Sequence, residues 1–119
     1  MMMLTTTRIL PVAALAVAVI TIAPLAAAAQ DAEIKRGEQV YGAQKCQMCH
    51  SIAGKGNKAN PLDGVGKKLS AADIREWIIH PTEMTAKTKS TKKPPMPAKY
   101  GTLPAADLDA LVAYMVSLK

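Results

Sequence analysis

Cys46-Gln47-Met48-Cys49-His50 is the stretch on which the reading of this chain turns. Two thiols three residues apart on a helical turn face the same way, and a histidine follows the second directly. These are the only two cysteines among 119 residues. A thioredoxin-like redox pair belongs in a strand–helix–strand setting, yet no stretch of this chain alternates like a strand for long. A structural zinc site takes four ligands, commonly in paired spacing. Only His80 is left to join Cys46, Cys49 and His50, and the adjacent Cys49 and His50 would ligate awkwardly. A disulfide closing so short a loop adds little stability. Covalent attachment of one haem answers to the spacing directly. Both thiols add to the vinyl groups along one edge of the macrocycle, and the next histidine, His50, reaches the iron just inside that edge.

Upstream, residues 1–8 carry one positive charge, Arg8, and residues 9–29 carry none and end in four alanines. A basic start, an apolar middle and a small-residue end make the layout of a secretory signal. Residues 1–29 are therefore expected to be a signal peptide cut before Gln30, and residues 30–119 one domain in the periplasm. A retained membrane anchor is the alternative, because an apolar run of about 20 residues spans a bilayer. Pro24 and the weakly hydrophobic alanines speak against it, and no cysteine follows the run to take a lipid.

Cleavage leaves 90 residues, a size that buries a modest core and often needs a cofactor to complete it. The mature part has no Phe, one Trp (Trp77) and three Tyr (Tyr41, Tyr100 and Tyr114). A haem would supply the missing flat apolar mass. The full chain carries a formal charge of +6, and losing Arg8 with the signal leaves +5. That excess suits acidic partners. Nucleic acid is not expected, because the basic residues are not interleaved with aromatics for base stacking.

Periodicity predicts an all-α domain of three to four helices wrapped around the haem. The first is expected over residues 31–43, with Asp31 as N-cap and Ile34, Gly37, Val40 and Tyr41 on one face. The second begins after Ser70, with Asp73 at the third helical position, and stops near His80 because Pro81 follows. The third covers residues 104–118, with Leu108, Leu111, Val112 and Met115 as a core stripe. Residues 51–68 and 82–102 read as long loops, uncommon unless they have a task.

The second axial ligand is sought among Met48, Met84, Met96, Met115 and His80. Met48 is tied to the attachment turn on the His50 side, and Met115 belongs to a helical stripe where Met is usually packing. Met96 lies in Pro94-Pro95-Met96-Pro97, a stiff segment far along the chain that loses little entropy when held against a metal. It is the expected ligand, and a thioether there raises the reduction potential. Met84 and His80 remain as alternatives.

With the Cys46–His50 string and Pro95-Met96-Pro97 in place, the chain resembles the class I cytochromes c, and most of all the short bacterial monohaem type. The resemblance spans nearly all of the mature chain. It implies that Gly37 and Tyr41 pack against Tyr114 of the last helix, and that the Pro61 carbonyl, within Asn60-Pro61-Leu62, accepts a hydrogen bond from the Nδ1–H of His50. Trp77 matches a position that often packs on the haem, though ordinary core packing is an equal reading, and Tyr100 joins it as a haem-pocket candidate. Two departures stand out: residues 87–93 are more basic than the usual approach to the Met ligand, and Pro104 stands where many relatives carry a capping Ser.

The function expected from these readings is electron transfer, with iron cycling between Fe(III) and Fe(II) as the protein docks on redox partners. With both axial positions filled, no catalytic activity is expected. Lys87, Lys89, Lys92, Lys93 and Lys99 would ring the haem edge and steer acidic partners to a monomeric carrier. A solvated loop that only confers solubility is the plainer reading of these lysines. The competing functions are a peroxidase-like or gas-binding haem unit with a weak distal ligand, and a membrane-tethered subunit of a larger oxidoreductase.

Overall fold

The computed structural model describes residues 23–119. Most of the expected signal segment thus lies outside the described residues. Helix α1 (Ala23–Ala43) runs through the expected cleavage point. Asp31 is inside it and not its N-cap, because the alanines upstream are the strongest helix formers and extend the helix. Residues 23–33 are all exposed, and packing begins only at Ile34.

From Gly37 onward α1 lies against the last helix, α5 (Ala105–Ser117). The approach is so close that a Cβ on Gly37 would stand 2.0 Å from the Ala110 carbonyl oxygen and 2.6 Å from Tyr114 Cβ. Only glycine fits. One turn later Tyr41 meets Tyr114 edge to face, with ring centroids 5.9 Å apart and planes at 73°, the arrangement that ring quadrupoles favour. The first-to-last helix crossing expected from the sequence is present. Arg36 fastens it from outside with a 2.7 Å ion pair to Asp107 in the first turn of α5.

Helix α3 (Ala71–Ile79) begins as the sequence predicts: the Ser70 hydroxyl accepts the Asp73 N–H at 3.1 Å and donates to the Asp73 carboxylate at 2.8 Å. Its buried residues Ile74 and Ile78 join Val40, Leu111, Val112 and Met115 in the core. Pro104 is the N-cap of α5 and not its first helical residue.

The expected long loops contain more order than the periodicity shows. Residues 81–88 form helix α4 (Pro81–Thr88), where Pro81 occupies the first position, which needs no N–H. Its two buried residues are Pro81 and Met84. Residues 51–68 hold a two-residue antiparallel pair, β1 (Ser51–Ile52) with β2 (Lys55–Gly56), and a single turn of helix, α2 (Val65–Lys68). These pieces are too short to leave a period. The fold is all-α, with three main helices and two small ones among the described residues.

Candidate cofactor site

Beyond α1 the chain reverses at Lys45, whose backbone is left-handed (φ 57°), and enters a tight 3₁₀ turn over Cys46–Met48. The Cys49 and His50 N–H groups both close back on the Cys46 carbonyl, at 3.1 and 2.9 Å. Cys46 is half-buried, Cys49 is exposed, and both thiols are free. Burial pushes the Cys46 thiol up to about 11, outweighing its backbone hydrogen bond. A redox Cys-X-X-Cys pair needs the opposite, a thiol lowered toward neutral pH. The zinc reading also fails to gather ligands: among the described residues no three of His, Cys, Asp and Glu group to hold a metal ion.

His50 follows in a half-buried position, with Nδ1 3.1 Å from the Asn60 carbonyl oxygen. A carbonyl has no proton to give, so Nδ1 carries the proton and donates, and Nε2 is left as the free base. Burial holds the imidazole below its ordinary pKa, against the upward pull of the Asn60 carbonyl. It is therefore neutral near pH 7, the form that binds metals.

The acceptor is Asn60 and not Pro61, as the resemblance implied. Ser51 bridges residue 61 in parallel register. The Ser51 N–H donates to the Asn60 carbonyl at 3.3 Å, and the Leu62 N–H donates to the Ser51 carbonyl at 2.8 Å. In extended chain, alternate residues point the same way, so Asn60 and Leu62 serve the bridge and the Pro61 carbonyl points elsewhere. Gly56 closes the loop over this turn. Its backbone has φ 104°, and a Cβ there would stand 2.2 Å from the His50 carbonyl oxygen. The next residue, Asn57, donates its N–H to the Gln47 and His50 carbonyls, each at 3.0 Å.

Cys46, Cys49 and His50 open into one cavity of about 570 Å³, inside the range of about 300–1,000 Å³ usual for prosthetic-group sites. Its walls are mostly apolar, with Leu62 and Val65 on one side, Ile74 and Ile78 from α3, and Leu111 and Met115 from α5. Pro61, Trp77, Met96 and Tyr100 all line it too, so every site residue expected from the sequence meets in this one space. Three of the four rival distal ligands do not. Met84 is buried outside the cavity wall. His80 is exposed, and its Nδ1 is 2.9 Å from the Glu76 carboxylate, which raises its pKa. Met48 is 69% exposed at the surface. Met115 does reach the cavity, from within the core cluster.

The apolar walls, the paired thiols and the free Nε2 of His50 fit a haem. A family model, Cytochrome c, matches residues 34–119. The chain belongs to the cytochrome c family. No curated protein and no solved structure matches it. Cytochromes c bind haem c covalently, and the Cys46–Cys49 pair fits that attachment site.

The sequence reading takes Pro61 for the acceptor in place of Asn60, although the alternation of extended chain separates the two. Lys92, expected at the haem edge, does line the cavity, and so does Lys45, whose position directly before Cys46 marks it in the sequence.

Proposed function

We propose that this cytochrome c is an exported single-electron carrier that docks in turn on a donor and an acceptor protein, with His50 and Met96 as axial ligands. When bound, the haem supplies the one-electron Fe(III)/Fe(II) couple. The observation that carries the reading is the cavity itself: it gathers both attachment cysteines, His50 and Met96, while His80 and Met84 stand outside. Met115 is committed to the core at 6% exposure, in one cluster with Leu111 and Val112. Met96 lies on irregular chain, half-buried between two prolines, which cuts the entropy lost in holding it. His50 enters neutral and already oriented by Asn60. With both axial positions taken by protein, no coordination site is left for a substrate, which favours electron transfer over catalysis.

The partner is an acidic protein. No Asp or Glu occurs in residues 84–106, which contain Lys87, Lys89, Lys92, Lys93 and Lys99. None of these lysines forms an ion pair among the described residues, whereas Asp107 and Asp109 are held by Arg36 and Arg75. Lys92 reaches across to the Ala59 carbonyl at 3.3 Å, and Lys99 lies over the Tyr100 ring, 5.2 Å from its centroid. Both therefore sit beside the cavity that opens at exposed Cys49, where an unpaired positive field steers an acidic partner.

Export by cleavage before Gln30 agrees with the packing, because residues 23–29 are all exposed. No helix of the described residues is long and apolar enough to cross a membrane. The mass of the exported holoprotein tests this, with residues 30–119 plus one haem as the expected value. Retention of residues 1–29 would instead make it a tethered subunit. Cyanide added to the ferric protein tests the closed iron site: slow binding is expected, and fast binding would mean an open distal position suited to ligand chemistry.

A further inference from the structure

We infer that Lys92 is a positioning residue: its ammonium ties the segment that carries Met96 to the loop that orients His50, and so slows the release of Met96 from the iron. The inference rests on the His50/Met96 ligation proposed above and adds to it a residue that neither attaches nor ligates.

Residues 91–96 form no helix or strand, and Pro94 and Pro95 have no N–H to give. The Lys92 N–H turns back locally to the Ser90 hydroxyl at 3.4 Å. Among the described residues, one hydrogen bond joins this segment to another part of the fold, from Lys92 Nζ to the Ala59 carbonyl at 3.3 Å. Its other hold is apolar, through half-buried Met96 packed on the core.

The receiving side is held far more firmly. The Ala59 N–H donates to the Asn57 side-chain oxygen at 3.0 Å, and the Asn57 side chain donates to the Met48 carbonyl at 3.2 Å. The Asn57 N–H adds its bonds to the Gln47 and His50 carbonyls. Directly after Ala59, the Asn60 carbonyl accepts from His50 Nδ1. A sparsely bonded segment is thus tethered to a densely bonded one, beside the support of the other axial ligand. The donor is an ammonium, which makes the bond charge-assisted, and Met96 stands only four residues beyond it, so fixing Lys92 limits how far Met96 can swing.

The test times cyanide binding to the ferric holoprotein in wild type, Lys92→Met, Lys92→Arg and Lys93→Met, with the thioether-to-iron band recorded in each. Lys92→Met keeps the apolar stem and removes the donor. It should bind cyanide roughly two- to tenfold faster, the worth of one hydrogen bond. The gain should persist near 1 M salt, because the acceptor is an uncharged carbonyl and not a screened ion. Lys92→Arg restores a donor and should return toward the wild-type rate. Lys93→Met removes a neighbouring charge without touching the tether and should match wild type. Lys92→Met no faster than Lys93→Met, or a gain that vanishes at high salt, would overturn the inference. If Lys92→Met does not accumulate, Lys92→Gln, too short for the span, carries the same expectation and the same contrary result. A wild-type protein without the band is a different failure: it strikes Met96 as ligand, whereas an intact band with equal rates strikes Lys92 alone.

Discussion

At His50 a backbone carbonyl decides which nitrogen is free for a metal: Asn60 holds Nδ1 at 3.1 Å and leaves Nε2 free. Because the acceptor is main chain, the Asn60 side chain is dispensable and the proline after it is not. Proline biases the residue before it toward extended backbone, which aims the Asn60 carbonyl at the ring. Asn60→Ala should therefore leave the ferric spectrum and cyanide binding as in wild type. Pro61→Gly should speed cyanide binding several-fold by loosening His50, as stopped-flow mixing would show. Equal rates in the two variants would remove the orienting role of this bridge. The sequence made Cys46, Cys49 and His50 legible because their spacing is itself the chemistry. It misplaced the acceptor by one residue because a resemblance aligns residues, whereas a hydrogen bond depends on which side of an extended chain a carbonyl faces.

Among the elements, the α1–α5 crossing holds the molecule together, and it depends on the missing side chain at Gly37. Gly37→Ala should destabilise by about 1–3 kcal/mol, the usual penalty of overpacking, measured by chemical denaturation of the holoprotein. At α3, Ser70→Ala should cost about 1 kcal/mol through loss of the N-cap. A change at Gly37 within a few tenths of a kcal/mol would contradict the close approach. Both features were readable, the first through the resemblance that sets Gly37 and Tyr41 against Tyr114, the second as a capping pattern. Helix α4 was not: Thr82-Glu83-Met84-Thr85 offers one buried side chain and no repeat, and Pro81 masks a start as easily as it marks a stop. The upstream extension of α1 escaped for another reason. Alanine propensity carries a helix past the point where an amphipathic face ceases.

At the scale of the whole molecule, a chain with no Phe and one Trp is arranged around a cavity of about 570 Å³ that side chains alone do not fill. Cys46→Ser with Cys49→Ser should therefore yield a protein with a broad, weakly cooperative thermal transition, because the apolar walls lose their common contact. A sharp melt in this apoprotein would show that the helices are self-sufficient. The same scale carries the partner claim. Electron transfer to an acidic acceptor should slow as salt rises, and Lys92→Glu with Lys99→Glu should slow it about tenfold at low salt, with little effect near 1 M. Ligation by Met96 is tested most directly by the visible spectrum of the ferric holoprotein and of its Met96→Ala variant. Covalent haem is expected in both, with a weak long-wavelength charge-transfer band from thioether sulfur to iron in wild type and no such band in Met96→Ala. Covalent haem without the band in wild type, or a band that survives the substitution, would contradict Met96 as the ligand.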